Sequence, residues 1–269
     1  MLELLADTFY GKGKFIDSIK VFRQLMSLNP ESPSLCTWQN EVVKATLAAR
    51  SKADQVKEVQ RLAAIYESVK ANPPKKAEVL EECKQATSGI LRELATIWHK
   101  EAQRTQNNET YALAQYLYKE YLERFPTEKD VYTMRFYYAE LMFKLGEVYG
   151  KTEYWEGAAE QYKILIEADP KGQHVKEAAY AQVIAWKNAL NIDETASEKI
   201  KNADPTKPVE ISEKLQKMLA AFDTYIKYVP DAPELVQIKY NRARIYYEHN
   251  RFSDAAPMFD DIATNHSKD

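Results

Sequence analysis

Glycine is scarce in this chain, with seven residues in 269, less than half of the usual ~7%. So little glycine builds few tight turns. A β-sandwich or barrel, which needs positive φ at many turns, is disfavoured, as is a doubly wound fold that places glycines beside its ligand. Cysteine is scarcer still: Cys36 and Cys83 are far apart in the chain, without a CxxC or Cys/His cluster. That spacing predicts structural thiols on helices, and neither a disulfide framework nor a zinc site. No run approaches the ~18 consecutive apolar residues of a membrane-spanning helix. Basic excess is absent too: 37 Lys and Arg face 40 Asp and Glu for a net charge of −3, with pI ≈ 6.0, which gives no electrostatic footprint for nucleic acid. The start, Met1-Leu2-Glu3-Leu4-Leu5, lacks the basic region and long apolar stretch of a signal peptide.

What is abundant is charge, at 29% of residues, and tyrosine, at eighteen, arranged with helical periodicity and a mean hydropathy of −0.55. The length allows one large domain or two small ones. Residues 138–170 carry the clearest pattern: Met142-x-x-Leu145-Gly146-x-x-Tyr149, then Ala158-x-x-x-Tyr162, then Leu165 and Pro170. Leu145 and Tyr149 are four apart on one helix, and Ala158 and Tyr162 four apart on the next, so each pair forms one stripe. Gly146 and Ala158 are small where the two helices cross closely, and Pro170 ends the second helix because it has no N–H to donate.

These spacings resemble the tetratricopeptide repeat (TPR) signature W-x₂-L-G-x₂-Y…A-x₃-F…P, with Met142 in place of Trp. Weaker copies follow the same ruler. Leu5, Ala6 and Phe9 precede Ser18, Phe22, Leu25 and Pro30, with Gly11-Lys12-Gly13 as the turn. Trp98 and Ala102 pair with Ala114, Tyr118, Tyr121 and Pro126; Phe222, Tyr225 and Pro230 close another helix; Ala243 and Tyr246 precede Ala255, Phe259 and Ile262. Residues 34–73 form the faintest copy, carried by Trp38, Val42, Val59, Leu62, Ala63 and Tyr66. The resemblance implies an all-α right-handed solenoid of about six antiparallel helix pairs over residues 1–269. Pro30, Pro73, Pro126, Pro170 and Pro230 stand 43, 53, 44 and 60 residues apart, longer than the ~34 of a standard repeat, so helices are extended or loops inserted. The clearest insertion is residues 191–211, where periodicity stops and Asp204-Pro205 and Lys207-Pro208 disfavour helix. Leu2, Leu4 and Leu5 near one end, and Ile262 near the other, lead to the expectation that the chain is a segment of a longer protein.

Signals for chemistry are missing. Gly11-Lys12-Gly13-Lys14 reads as a helix-to-helix turn, because GxxxxGK[ST] is absent and no strand pattern precedes it. His99, His174, His249 and His266 are scattered, with no HExxH and no ligand spacing. Neither GxSxG nor a nucleophilic-cysteine signature occurs. The expectation is a chain without catalytic residues, metal or cofactor.

Arg124-Phe125-Pro126, Tyr228-Val229-Pro230 and Tyr246-Tyr247-x-x-x-Arg251-Phe252-x-x-Ala255 resemble the repeats of bacterial cell-envelope TPR proteins, such as the barrel-assembly lipoprotein and the large periplasmic TPR proteins of deltaproteobacteria. The family resemblance implies that the first helix of each pair lines a concave groove. It places Glu140, Phe143 and Glu147, Tyr240, Arg244 and Tyr247, and less directly His99 and Gln103, on that groove as contacts for a protein or peptide. The 191–211 loop is expected as a second contact. The implied function is a scaffold of an envelope assembly in the periplasm. Two alternatives stay open at this point: a glycan- or peptidoglycan-binding module that stacks sugars on tyrosines, and a cytoplasmic regulator.

Overall fold

The computed structural model describes residues 1–74, 76–191, 204 and 206–266, and the described residues form twelve α-helices with no strand. Six of these helices, α1 (Leu2–Gly11), α2 (Phe15–Leu28), α3 (Leu35–Ala49), α4 (Lys52–Ala71), α5 (Ala77–Thr105) and α6 (Asn108–Arg124), belong to a first unit, Met1–Pro126. The second unit, Thr127–Asp269, holds α7 (Val131–Tyr149), α8 (Thr152–Ala168), α9 (Val175–Ala189), α10 (Glu213–Tyr228), α11 (Leu235–Glu248) and α12 (Phe252–Asn265). Within each unit consecutive helices pack on one another as stacked pairs, an α-solenoid arrangement. Pro30, Pro73, Pro126, Pro170 and Pro230 each follow one of the second helices of a pair, and the extra length expected between Pro73 and Pro126 resides mainly in α5, at 29 residues.

The pair α7/α8 realises the signature of residues 138–170. Met142, Leu145, Ala158, Tyr162 and Leu165 are all buried. Gly146 is needed for a reason the sequence only half shows. A Cβ at this position would lie 2.5–2.8 Å from the Trp155 ring, so the first helix approaches an indole of α8, itself edge-on to Phe143 at 4.8 Å between centroids. Gly157 gives the same clearance to the end of Met142. Gly150 then closes α7 in the left-handed conformation, φ 62°, with its N–H on the Gly146 carbonyl.

In the first unit the faint copy over residues 34–73 is a full pair, α3/α4, and Trp38, Val42, Val59, Leu62, Ala63 and Tyr66 are all buried. A polar link fastens it to its neighbours. Glu58, 4% exposed, accepts hydrogen bonds from Arg23 of α2 and Arg61 of α4 at 2.6 Å each, and from Gln39 of α3 at 3.0 Å. Burial pushes this carboxyl up, but the bonds from Gln39 and Arg61 and the charges of Arg23 and Arg61 outweigh it and hold the group below the usual carboxylate range.

The expectation for the cysteines is corrected. Cys36 of α3 and Cys83 of α5 are joined in a disulfide, with Cα atoms 5.3 Å apart and both residues buried. Sequence distance misled here, because α3 and α5 are first helices of adjacent pairs and touch directly across α4.

In the second unit, residues 192–203 and 205 of the expected 191–211 insertion lie outside the described residues. Its described end is tied to the α11–α12 turn. Val209 N–H donates to the His249 carbonyl at 2.8 Å, Asn250 Nδ2 donates to the carbonyls of Asp204 and Lys207 at 3.0 Å each, and Ile211 is buried.

The Gly146 geometry predicts that Gly146→Leu overpacks the α7/α8 crossing, because Trp155 cannot yield without disturbing Phe143. The expected cost is on the order of 1–3 kcal/mol, read as a lower urea midpoint with an unchanged slope. An unchanged midpoint would show that the crossing is looser than this packing.

Candidate partner-binding groove

The first helices of the first unit, α1, α3 and α5, line a groove of about 660 Å³. α3 supplies Asn40, Lys44, Leu47 and Ala48 at spacings of three and four, which keep one face of the helix turned to the groove. Gln85, Ala86, Gly89, Ile90 and Glu93 do the same on α5, and Tyr10 closes the α1 side. The floor is made of small or apolar side chains; the rim carries amide, ammonium, carboxylate and phenol groups. Two rim groups are held in place by their own helices: Lys44 Nζ reaches Glu41 at 2.6 Å, and Gln85 Nε2 donates to Glu81 at 3.1 Å. Rim groups steadied in this way lose less freedom when a partner binds.

Gly89 stands out within this groove. It sits mid-helix in α5, where glycine costs about 0.5–1 kcal/mol relative to alanine. Unlike Gly146, it is not demanded by packing: a Cβ there would meet no heavy atom within 4 Å.

The residues expected to bind a partner are placed as follows. Glu140 is half-buried and accepts a hydrogen bond from the Tyr162 hydroxyl; burial pushes its carboxyl up despite that bond, and burial together with the Glu140 charge pushes the Tyr162 phenol up as well. Phe143 packs on Trp155. Glu147 is exposed and pairs with Lys144 at 2.8 Å. Tyr240 and Tyr247 are 45% and 56% exposed, and their rings lean on α12, Tyr240 on Phe259 and Tyr247 on Phe252 and Phe259, at 5.3–6.3 Å between centroids. Arg244 Nε bonds Glu248 at 2.7 Å. Gln103 is exposed near the end of α5.

His99 is a correction. It is 6% exposed, packs edge-on against Tyr118 of α6 and places Nδ1 3.2 Å from the Tyr118 hydroxyl. The groove stripe on α5 runs through residues 85, 86, 89, 90 and 93, whereas burial against α6 removes His99 from any open surface. The α3 and α5 groove residues were missed because the faint copy gave no rotation for α3. For α5, the signal that could have found them was the lone mid-helix glycine.

Among the described residues, no three His, Cys, Asp or Glu side chains are placed to hold a metal ion, and no helix is long and apolar enough to cross a membrane. No family model and no curated protein matches the sequence. Among solved structures the chain is similar to a tetratricopeptide repeat protein from Parabacteroides merdae, at 14% identity and a TM-score of 0.33, covering 98% of this chain and 78% of that one. It is also similar to the TPR2AB domain of yeast Sti1 in complex with pHSP90, at 14% identity and a TM-score of 0.29, covering 98% and 91%. Likenesses this loose leave function to be judged from the groove itself.

Burial holds the His99 imidazole at about 4, below its ordinary 6.5. The unfolded chain takes up a proton near 6.5 and the folded chain does not, so this contribution to stability is present above about pH 6.5 and lost as pH falls towards 4. Lowering pH from ~7 to ~5 is therefore expected to remove on the order of 2 kcal/mol through this residue. Urea unfolding of the wild type and His99→Phe at both pH values checks it: the variant should show the smaller drop, and equal drops would place the histidine in water.

Proposed function

We propose that this chain is a non-catalytic protein–protein interaction scaffold of TPR type in a bacterial envelope assembly, which holds an extended partner segment in the groove between α1, α3 and α5. The observation that carries this reading is Gly89. Stability disfavours glycine there and packing does not require it, so its use lies in keeping the groove floor low. An apolar floor with a steadied polar rim suits a peptide, whose side chains fill the floor while its backbone amides meet Asn40 and Gln85. Tyr240 and Tyr247, about half exposed, offer a further aromatic contact in the second unit.

The Cys36–Cys83 disulfide supports the envelope placement, because such bonds persist in oxidising compartments and are rare in a reducing cytosol. It also fixes the groove, since Cys36 is one turn from Asn40 and Cys83 two residues from Gln85.

Gly89→Leu separates binding from folding. Leucine removes the helix penalty of glycine, so stability should rise by about 0.5–1 kcal/mol, while the filled floor should weaken a partner recovered from envelope extracts at least about tenfold. Unchanged affinity would remove the partner from this groove. Two alkylatable thiols on the chain taken from its cell would contradict the oxidising compartment.

A further inference from the structure

The Cys36–Cys83 disulfide is enclosed by the unit it fastens. Cys36 is 5% exposed and Cys83 0%, and the two stand 47 positions apart, so the bridge closes a loop that holds most of α3, all of α4 and the first turns of α5. α4 packs on both α3 and α5. Thiol–disulfide exchange requires the attacking sulfur to touch the sulfur it attacks, and a bridge buried at both ends gives an outside thiol no approach.

Contacts on both helices oppose a local opening. Gln39, one turn beyond Cys36, donates through Nε2 to the backbone carbonyl and the carboxylate of Glu58 at 3.0 Å each, and that carboxylate also receives Arg23 and Arg61 at 2.6 Å. Lifting the start of α3 off α4 would pull apart this buried, charge-assisted cluster. On α5, Thr87, Leu91 and Leu94 are buried on the turns beyond Cys83, so this helix cannot swing its sulfur outwards without exposing apolar surface.

We propose that this disulfide is formed before α3, α4 and α5 pack, by exchange between the unpacked chain and a disulfide-bearing oxidant, and that packing then locks it. One cysteine thiolate attacks the oxidant's disulfide, forming a mixed disulfide and releasing one oxidant thiolate; the second cysteine thiolate then displaces the other oxidant sulfur. The chain gives up two electrons and two protons, and the oxidant leaves with both its sulfurs as thiols. A chain that packs with its thiols free is closed to the oxidant, whereas an oxidised chain keeps its bridge in the presence of a reductant. The inference concerns how the bond is made and kept, and it holds whether or not a partner occupies the groove.

The test exposes the full oxidised chain to dithiothreitol and counts the thiols released by alkylation and mass spectrometry. Thiols should appear at least about a hundredfold more slowly in native buffer than in ~8 M urea, since opening a packed core costs a free energy near that of global unfolding. Between these limits the rate should climb with urea as unfolding does. In the converse arm the chain is reduced, returned to native buffer and given oxidised glutathione. If circular dichroism shows it refolded, it should lose thiols at least about a hundredfold more slowly than in urea; if it stays unfolded, it should oxidise at the urea rate. Reduction or oxidation of the folded chain within about tenfold of its urea rate, or a native reduction rate that urea below the unfolding transition leaves unchanged, would overturn the proposal.

Discussion

A pair of amphipathic helices with apolar residues on two faces can bury only one of them within itself. The second face must be covered by the next pair, and this need organises each unit of the chain. Ala6, Ile19, Phe22, Trp38, Val42 and Ala45 form one continuous cluster drawn from α1, α2 and α3; the cluster belongs to a junction and not to any single pair. Because each first helix is wedged beside the preceding second helix, α1, α3 and α5 come to share one side of their unit. The groove is a consequence of that stacking.

Two features of the first unit then convert a side into a site. The disulfide joins α3 to α5 without involving α4, which sets the distance between the groove walls within a turn of the lining residues. The Glu58 cluster anchors α4 to α2 and α3 from elsewhere in the unit. With the walls held by a covalent bond and the adjoining second helix held by charge-assisted bonds, the groove keeps its shape in the absence of a partner, and less binding energy is spent on ordering it.

Much of the fold could be read from the sequence, because it depends on local periodicity. The stripe through Leu145 and Tyr149 and the stripe through Ala158 and Tyr162 need only neighbours three and four apart, and the helices they predict are present. Gly146 was readable as a close approach, whereas its contact with Trp155 was not, since the indole reaches across from another helix. The site was less legible for the same reason. Which face of α5 meets a groove is set by α1 and α3, so a repeat ruler anchored on Trp98 and Ala102 turned His99 outwards when Tyr118 and burial claim it. The pairing of Cys36 with Cys83 is a contact between alternate helices that no local pattern encodes. Tyr240 and Tyr247, seven residues apart and about half exposed, share one face of α11; their support by Phe252 and Phe259 emerges only when α12 is folded back beside α11.

The central claim is that a partner segment lies against the floor of the α1/α3/α5 groove. The most direct measurement places a photoreactive phenylalanine analogue at position 93, where the exposed Glu93 stands on the groove rim, in one preparation and at position 119 on α6, where the Lys119 side chain is 61% exposed, in another, and illuminates each in an envelope extract. Crosslinks to one partner from position 93, suppressed when that partner's segment is added as free peptide and absent from position 119, are the predicted result. A silent position 93 with crosslinks from position 119 would put the partner on another face and contradict the account.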